Sequence, residues 1–299
     1  MIKAERFEGL VAAPFTPMDK NGNINYDAIG PYYDFLEKNG IIGAFINGST
    51  GEGPSLTQKE KQLQAEKWAE RLKAGGKVRV INLVGGTSYR ECIENAIFSS
   101  ELGLSAIAIL APYYYKPSSP GQLAGFCARI GESVPGMPVY FYNIPEYTGV
   151  NISMHGFLEE ISGMLPNFMG IKSSQEDLMD FMKCLRFGGG RYDMLWGRDE
   201  CLLSALVMGC RGAVGSTYNY AAPLYLKLIE AFHAGDLLEA RRLQQLSVNM
   251  IDLLGKYGGM AVGKFFMKFA GLECGECRMP VANSAAGTYR EFVEDVRKL

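Results

Sequence analysis

Val139-Tyr-Phe-Tyr-Asn-Ile-Pro145 and Asn167-Phe-Met-Gly-Ile-Lys-Ser-Ser174 are two short apolar runs, each ending in a reactive polar side chain. Both have strand length, and the segment between them is long enough for a helix. Strand, helix, strand in that order implies parallel pairing through a right-handed crossover. The alternation continues in both directions. Candidate strands fall at 9–14, 42–47, 78–84, 106–111, 139–143, 168–172, 193–196 and 212–215, eight in all. Helical periodicity fills most intervals, as where Ala65, Trp68, Ala69 and Leu72 form one face and Glu66, Lys67, Glu70 and Arg71 another. Eight such units predict an α/β chain closed into a (β/α)8 barrel over residues 1–222.

Beyond the eighth strand the pattern turns wholly helical, with segments at 223–234, 236–257, 262–270 and 288–299 punctuated by Gly235, Gly258-Gly259 and a glycine- and proline-containing stretch. A barrel needs only one helix after its last strand. Residues 223–299 are therefore expected to form a helical extension packed on the barrel, with no linker between them.

The bulk properties agree with a single soluble body. The chain has 299 residues, 47% hydrophobic and 21% charged, with a formal net charge of −2. That charge gives no electrostatic footprint for nucleic acid or an anionic membrane. No apolar run spans a bilayer and the first residues carry no apolar leader, which predicts a cytosolic protein. Seven cysteines argue against a disulfide framework, and Cys274-Gly-Glu-Cys277 is a lone pair without a histidine nearby. It is read as reduced, incidental thiols. The two histidines, His155 and His233, are too few for a His-rich metal site, which leaves only a carboxylate-bound Mg²⁺ open.

Active sites on this fold form at the carboxyl ends of the strands. Those positions hold Gly48-Ser-Thr-Gly-Glu-Gly53, Pro112-Tyr-Tyr-Tyr-Lys116, Tyr142-Asn-Ile-Pro145, Lys172-Ser-Ser174, Gly197-Arg-Asp-Glu200 and Gly215-Ser-Thr-Tyr-Asn219. The Gly48 loop either cradles an oxyanion on its N–H groups and the Ser49 and Thr50 hydroxyls, or is a tight turn before a helix capped by Thr57 and Glu60. Tyr113, Tyr114 and Tyr115 either pack at the rim or serve the site. Asp199 and Glu200 are a solvated pair, helix-start charges on 201–208, or acceptors at the mouth. Lys172 is the sharpest signal. An ammonium at the end of a buried strand is costly, and the neutral amine is a nucleophile toward ketones and aldehydes. Tyr142 stands where it could move protons. The bland alternative pairs Lys172 with Glu176 or Asp177.

In order along the chain, Gly48-Ser-Thr-Gly-Glu52, Tyr142-Asn-Ile-Pro145, Gly170-Ile-Lys-Ser-Ser174 and Gly215-Ser-Thr217 resemble the class I (Schiff-base) pyruvate aldolase family that includes dihydrodipicolinate synthases and N-acetylneuraminate lyases. The stretch from Trp196 to Tyr220 is most similar to the lyase branch. Tyr147 stands where synthases place an arginine for a second carboxylate, which weighs against a synthase. Arg198 is a further departure that bears on the substrate's tail.

The resemblance implies a homotetrameric sialic acid aldolase, cutting N-acetylneuraminate to N-acetylmannosamine and pyruvate without metal or organic cofactor. It implies Lys172 as the Schiff-base residue, and Tyr142, aided by Ser49 and by Tyr114 from a neighbouring subunit, as the proton shuttle. Ser49 and Thr50 would hold the substrate carboxylate, and Ser174, Gly197, Asp199, Glu200 and Ser216 the hydroxylated tail. Rival readings are a relative acting on another 2-keto-3-deoxy sugar acid, a dihydrodipicolinate synthase, or a silent barrel that binds a keto acid.

Overall fold

Alternation along the two quoted runs sets the inside and outside of the molecule. Val139, Phe141 and Ile171 pack outward against helices, while Tyr140 and Tyr142 face the barrel axis. The computed structural model describes residues 5–285 and 287–299. Its eight strands are β1 (Gly9–Ala12), β2 (Gly43–Ile46), β3 (Arg79–Leu83), β4 (Ala106–Leu110), β5 (Val139–Asn143), β6 (Phe168–Ser173), β7 (Asp193–Trp196) and β8 (Gly212–Gly215). All pair in parallel and in sequence order, and β8 closes on β1. The expected eight-stranded barrel is therefore present.

The helices are α1 (Ile29–Lys38), α2 (Gln58–Lys73), α3 (Tyr89–Glu101), α4 (Pro120–Gly131), α5 (Pro145–Thr148), α6 (Met154–Met164), α7 (Leu178–Arg186), α8 (Leu202–Val207), α9 (Tyr218–His233), α10 (Leu237–Tyr257), α11 (Met260–Phe269) and α12 (Thr288–Val296). Helix α2 starts with the anticipated capping box: the Thr57 side chain accepts from the Glu60 N–H while the Glu60 carboxylate accepts from the Thr57 N–H. Helix α9 begins five residues before the anticipated start at Pro223. Its first turn is separated from the rest by a non-helical Ala221 (φ −123°), so the proline opens a second helical stretch, where its missing N–H does little harm. The 201–208 helix likewise begins with a 3-10 turn at Asp199–Cys201.

Two apolar layers hold the barrel. The outer one lies between strands and helices and contains Trp68, Phe157, Ile171 and Trp196. The inner one fills the axis with Phe7, Phe45, Tyr140, Tyr142, Leu195 and Val214. Its lower end is a plug. The Phe7 and Tyr140 rings meet edge to face at 5.9 Å, and the Arg79 guanidinium lies 3.8 Å over Phe7. The Asp193 carboxylate accepts from the Tyr140 hydroxyl at 2.8 Å and from the Phe7 N–H at 2.9 Å. Burial pushes the Asp193 carboxyl above its ordinary range, against the pull of those bonds.

Strand β6 carries Lys172, and its approach to β7 leaves no room at Gly170: a Cβ there would sit 1.8 Å from the Asp193 backbone oxygen. Backbone cannot retreat as a side chain can, so Gly170→Ala should force the strands apart. We expect a stability loss of at least ~1–3 kcal/mol, read as a lower urea midpoint. An unchanged midpoint would show that β6 and β7 have slack here.

Helices α9 and α10 are stitched by a buried hydroxyl chain in which the Tyr225 hydroxyl lies 2.7 Å from the Thr217 hydroxyl and 2.7 Å from that of Ser247. Phe292 of α12 is buried against Phe265 and Phe266 of α11. Among the described residues no helix is long and apolar enough to cross a membrane.

Candidate active site

Lys172 ends its inward approach inside the upper part of the barrel, in register with Tyr142 on the neighbouring strand. The residue is only 4% exposed. Its Nζ lies 3.8 Å from the centroid of the Tyr142 ring and 4.5 Å from that of Phe45. It forms no ion pair with any described residue. The two carboxylates that might have claimed it are engaged elsewhere: Glu176 binds Arg198 at 2.7 Å, and Asp177 caps α7 by accepting from the Asp180 N–H. The bland pairing is thus ruled out by geometry. The amine is held against two aromatic faces, with no carboxylate within ion-pair distance among the described residues.

Above Nζ opens a cavity of about 500 Å³, within the range of small-molecule sites. Ser49, Thr50, Tyr142, Lys172, Ser174, Gly197, Asp199, Glu200 and Ser216 all border it. Tyr114 does not; it is 76% exposed and lies against Tyr115 on the rim. The Tyr142 hydroxyl has no hydrogen-bond partner among the described residues, and its ring packs edge-on against Phe45 at 5.4 Å. It is free to meet whatever enters.

The Ser49–Thr50 loop is built under tension. Both residues flanking Gly48–Gly51 have left-handed backbones, Asn47 at φ 58° and Glu52 at φ 56°. Such positions cost on the order of 1–3 kcal/mol each for residues other than glycine. The Asn47 side chain is fixed by Asn82 at 2.8 Å and Gln64 at 3.1 Å, and the Thr16 hydroxyl donates to the Gly51 carbonyl at 2.5 Å. Turned this way, the N–H groups of Ser49, Thr50 and Gly51 meet no acceptor among the described residues. A run of unpaired N–H groups beside two hydroxyls suits a carboxylate.

The opposite wall differs from the pair of free acceptors anticipated there. Asp199 is buried, and its Oδ2 accepts from both the Thr217 N–H at 2.9 Å and the Thr217 hydroxyl at 2.6 Å. Burial raises its pKa, the Thr217 bonds lower it, and Glu200 and Lys172 then push it up and down respectively. Gly215 is obligatory beneath it, since a Cβ there would lie 1.8 Å from Asp199 Oδ1. Glu200 accepts from Arg198 Nε at 3.1 Å, so Arg198 clamps Glu176 and Glu200 together at the mouth. The Ser174 hydroxyl donates to the Gly197 carbonyl at 3.0 Å and keeps its lone pairs for a ligand.

Part of the lining escaped the strand-end reading. Phe15 follows β1, Tyr220 belongs to α9, and Leu254, Met260 and Gly263 come from α10 and α11. Tyr220 stacks on Phe266 at 4.6 Å, and its hydroxyl is buried without a partner among the described residues. The only hint of this wall in the sequence is Gly258-Gly259, a break that lets two helices turn back over the barrel. Among the described residues no three His, Cys, Asp or Glu side chains gather as a metal site. Burial pushes the Cys274 and Cys277 thiols up to about 12, which leaves them protonated.

Known proteins resemble this chain over nearly its whole length. Residues 6–299 match the dihydrodipicolinate synthetase family. An N-acetylneuraminate lyase of Rattus norvegicus is 39% identical over 281 residues, covering 93% of this chain and 88% of the relative. The solved N-acetylneuraminate lyase of Proteus mirabilis superposes with a TM-score of 0.94 at 34% identity, over 98% of this chain and 99% of that one. A lysine-bound dihydrodipicolinate synthase of Cyanidioschyzon merolae has the same fold at TM-score 0.90 but 26% identity, over 98% of each chain. With nearly the whole chain matched, this protein belongs to the dihydrodipicolinate synthetase family.

Proposed function

We propose that the protein is an N-acetylneuraminate lyase, cleaving sialic acid reversibly to N-acetylmannosamine and pyruvate through an imine on Lys172. The observation that carries this is the Lys172 amine, buried, without an ion pair, 3.8 Å from the Tyr142 ring and open to the cavity. The lyase branch is favoured over the synthase by 39% and 34% identity to the two lyases against 26% to the synthase. Tyr147, which brings no positive charge to the mouth, and Arg198, whose charge is already shared by two carboxylates, point the same way. Neither leaves a free cation for a second substrate carboxylate.

In this reading the Ser49–Thr50 loop receives the carboxylate of open-chain N-acetylneuraminate and presents C2 to Lys172. Nζ adds to the ketone and water leaves, giving a protonated imine that draws electrons from the C3–C4 bond. The proton of the C4 hydroxyl departs through the Tyr142 phenol, which hands one on as it accepts one, along Ser49 and Tyr114. The C3–C4 electron pair moves into an enamine as the C4 oxygen becomes the aldehyde of N-acetylmannosamine. A proton delivered to C3 balances the one taken from the C4 oxygen. Water then hydrolyses the imine, releasing pyruvate and the amine. Ser174, Gly197, Asp199, Glu200 and Ser216 face the sugar chain, with Asp199 acting mainly as a brace. Tyr114 lies outside its own cavity, so its part requires delivery into the site of a second subunit of a homotetramer.

Incubating the protein with N-acetylneuraminate should release pyruvate. Release from another 2-keto-3-deoxy sugar acid with none from N-acetylneuraminate would move the assignment to a sister activity, and no release from either would reject an aldolase.

A further inference from the structure

Glu52 has a left-handed backbone that glutamate rarely adopts, and local sequence offers no reason for it. The reason lies far along the chain. Its carboxylate is 3% exposed, with Oε1 3.0 Å from the Nζ of Lys264, itself 2% exposed. Oε2 accepts from the Arg278 N–H at 2.7 Å, and Lys264 Nζ also donates to the Glu276 carbonyl at 2.7 Å. Arg278 in turn grips Glu60 through two nitrogens, at 2.7 and 3.0 Å, and the Ser55 carbonyl at 2.9 Å. Backbone bonds from the Glu52 N–H to the Ser49 carbonyl and from the Gly53 N–H to the Gly48 carbonyl close the turn locally, while the Glu52 side chain is held by α11 and the segment after it. Neither Glu52 nor Lys264 borders the cavity, although Gly263, next to Lys264, does.

Resting on the lyase reading, we propose that the Glu52–Lys264 pair positions the carboxylate-binding loop, making the C-terminal helices a working part of the pyruvate half of the site. Two physical effects converge in the pair. Its charge contact, together with the Arg278 N–H donated to Glu52 Oε2, braces the left-handed Glu52 backbone, and that conformation turns the Ser49 and Thr50 N–H groups toward the cavity their residues border. Lys264 also cancels a buried negative charge two residues from Thr50, which would otherwise repel an incoming carboxylate. Both effects act on the pyruvate moiety and neither acts on the sugar chain.

The test runs the reaction in the condensation direction with Glu52→Gln, Lys264→Met and the double variant. Each should raise KM for pyruvate by about tenfold to 10²-fold, the cost of a small misplacement, while KM for N-acetylmannosamine stays within about twofold. A role confined to stability would lower the melting temperature and leave the ratio of the two KM values unchanged. Parallel rises in both KM values, or no rise in pyruvate KM, overturn the proposal. The double variant buries no charge, so it decides by the same ratio if the singles do not fold. Borohydride trapping of pyruvate on the unmodified protein separates the two readings. Trapping with an unchanged KM ratio in the variants overturns this inference alone; no trapping overturns it together with the lyase reading.

Discussion

Lys172→Ala should lower turnover by on the order of 10⁴ or more, because the covalent route is removed and not merely weakened. It should also abolish the adduct that borohydride fixes when the unmodified protein meets pyruvate, a difference read directly by intact mass. The substitution is unusually clean. Lys172 is buried without an ion pair and borders the cavity, so its loss orphans no paired carboxylate. The melting temperature should stay close to that of the unmodified protein. A trapped adduct in Lys172→Ala would place the reactive amine elsewhere, and a collapsed melting temperature would make the loss of activity uninformative about chemistry.

Tyr142→Phe should separate imine formation from bond cleavage. Phenylalanine keeps the ring that faces Phe45 at 5.4 Å and lies beneath the lysine, and removes only a hydroxyl with no described partner. Packing should survive. Pyruvate should still be trapped on Lys172, whereas N-acetylneuraminate cleavage should fall by about 10²–10⁴, the range for a positioned proton-transfer group. Near-normal turnover would remove Tyr142 from the proton path, and loss of trapping would assign it to imine formation.

The barrel was legible because its strands are buried on both faces and read as short apolar runs, and because the connections are helices of ordinary length. Strands 139–143, 193–196 and 212–215 coincide with the expected ranges, and the others differ by one or two residues at their ends, where capping and pairing decide the boundary. The residues gathered at the mouth were visible for the same reason: a strand-end rule needs only local pattern. What stayed hidden depends on contacts between distant segments. Nothing near Arg198 announces that it will bridge Glu176 and Glu200, which turns an acidic-looking rim into a paired one. Nothing in the sequence joins Glu52, at the end of a glycine-rich loop, to Lys264, some two hundred residues on, until the fold buries them together. The α9 start was misplaced because a proline is a stronger local signal than the short turn before it.

The aromatic and ionic plug of Phe7, Tyr140, Arg79 and Asp193 seals the axis beneath the lysine. The chamber is then a blind well, and whatever is tethered at its bottom must wait for whatever stands above it to depart. Under the lyase reading that geometry imposes last in, first out: the sugar fragment vacates before the three-carbon acid is set free, and in the opposite direction the acid has to be seated first. Traffic order is thus written into the architecture, before any rate constant enters.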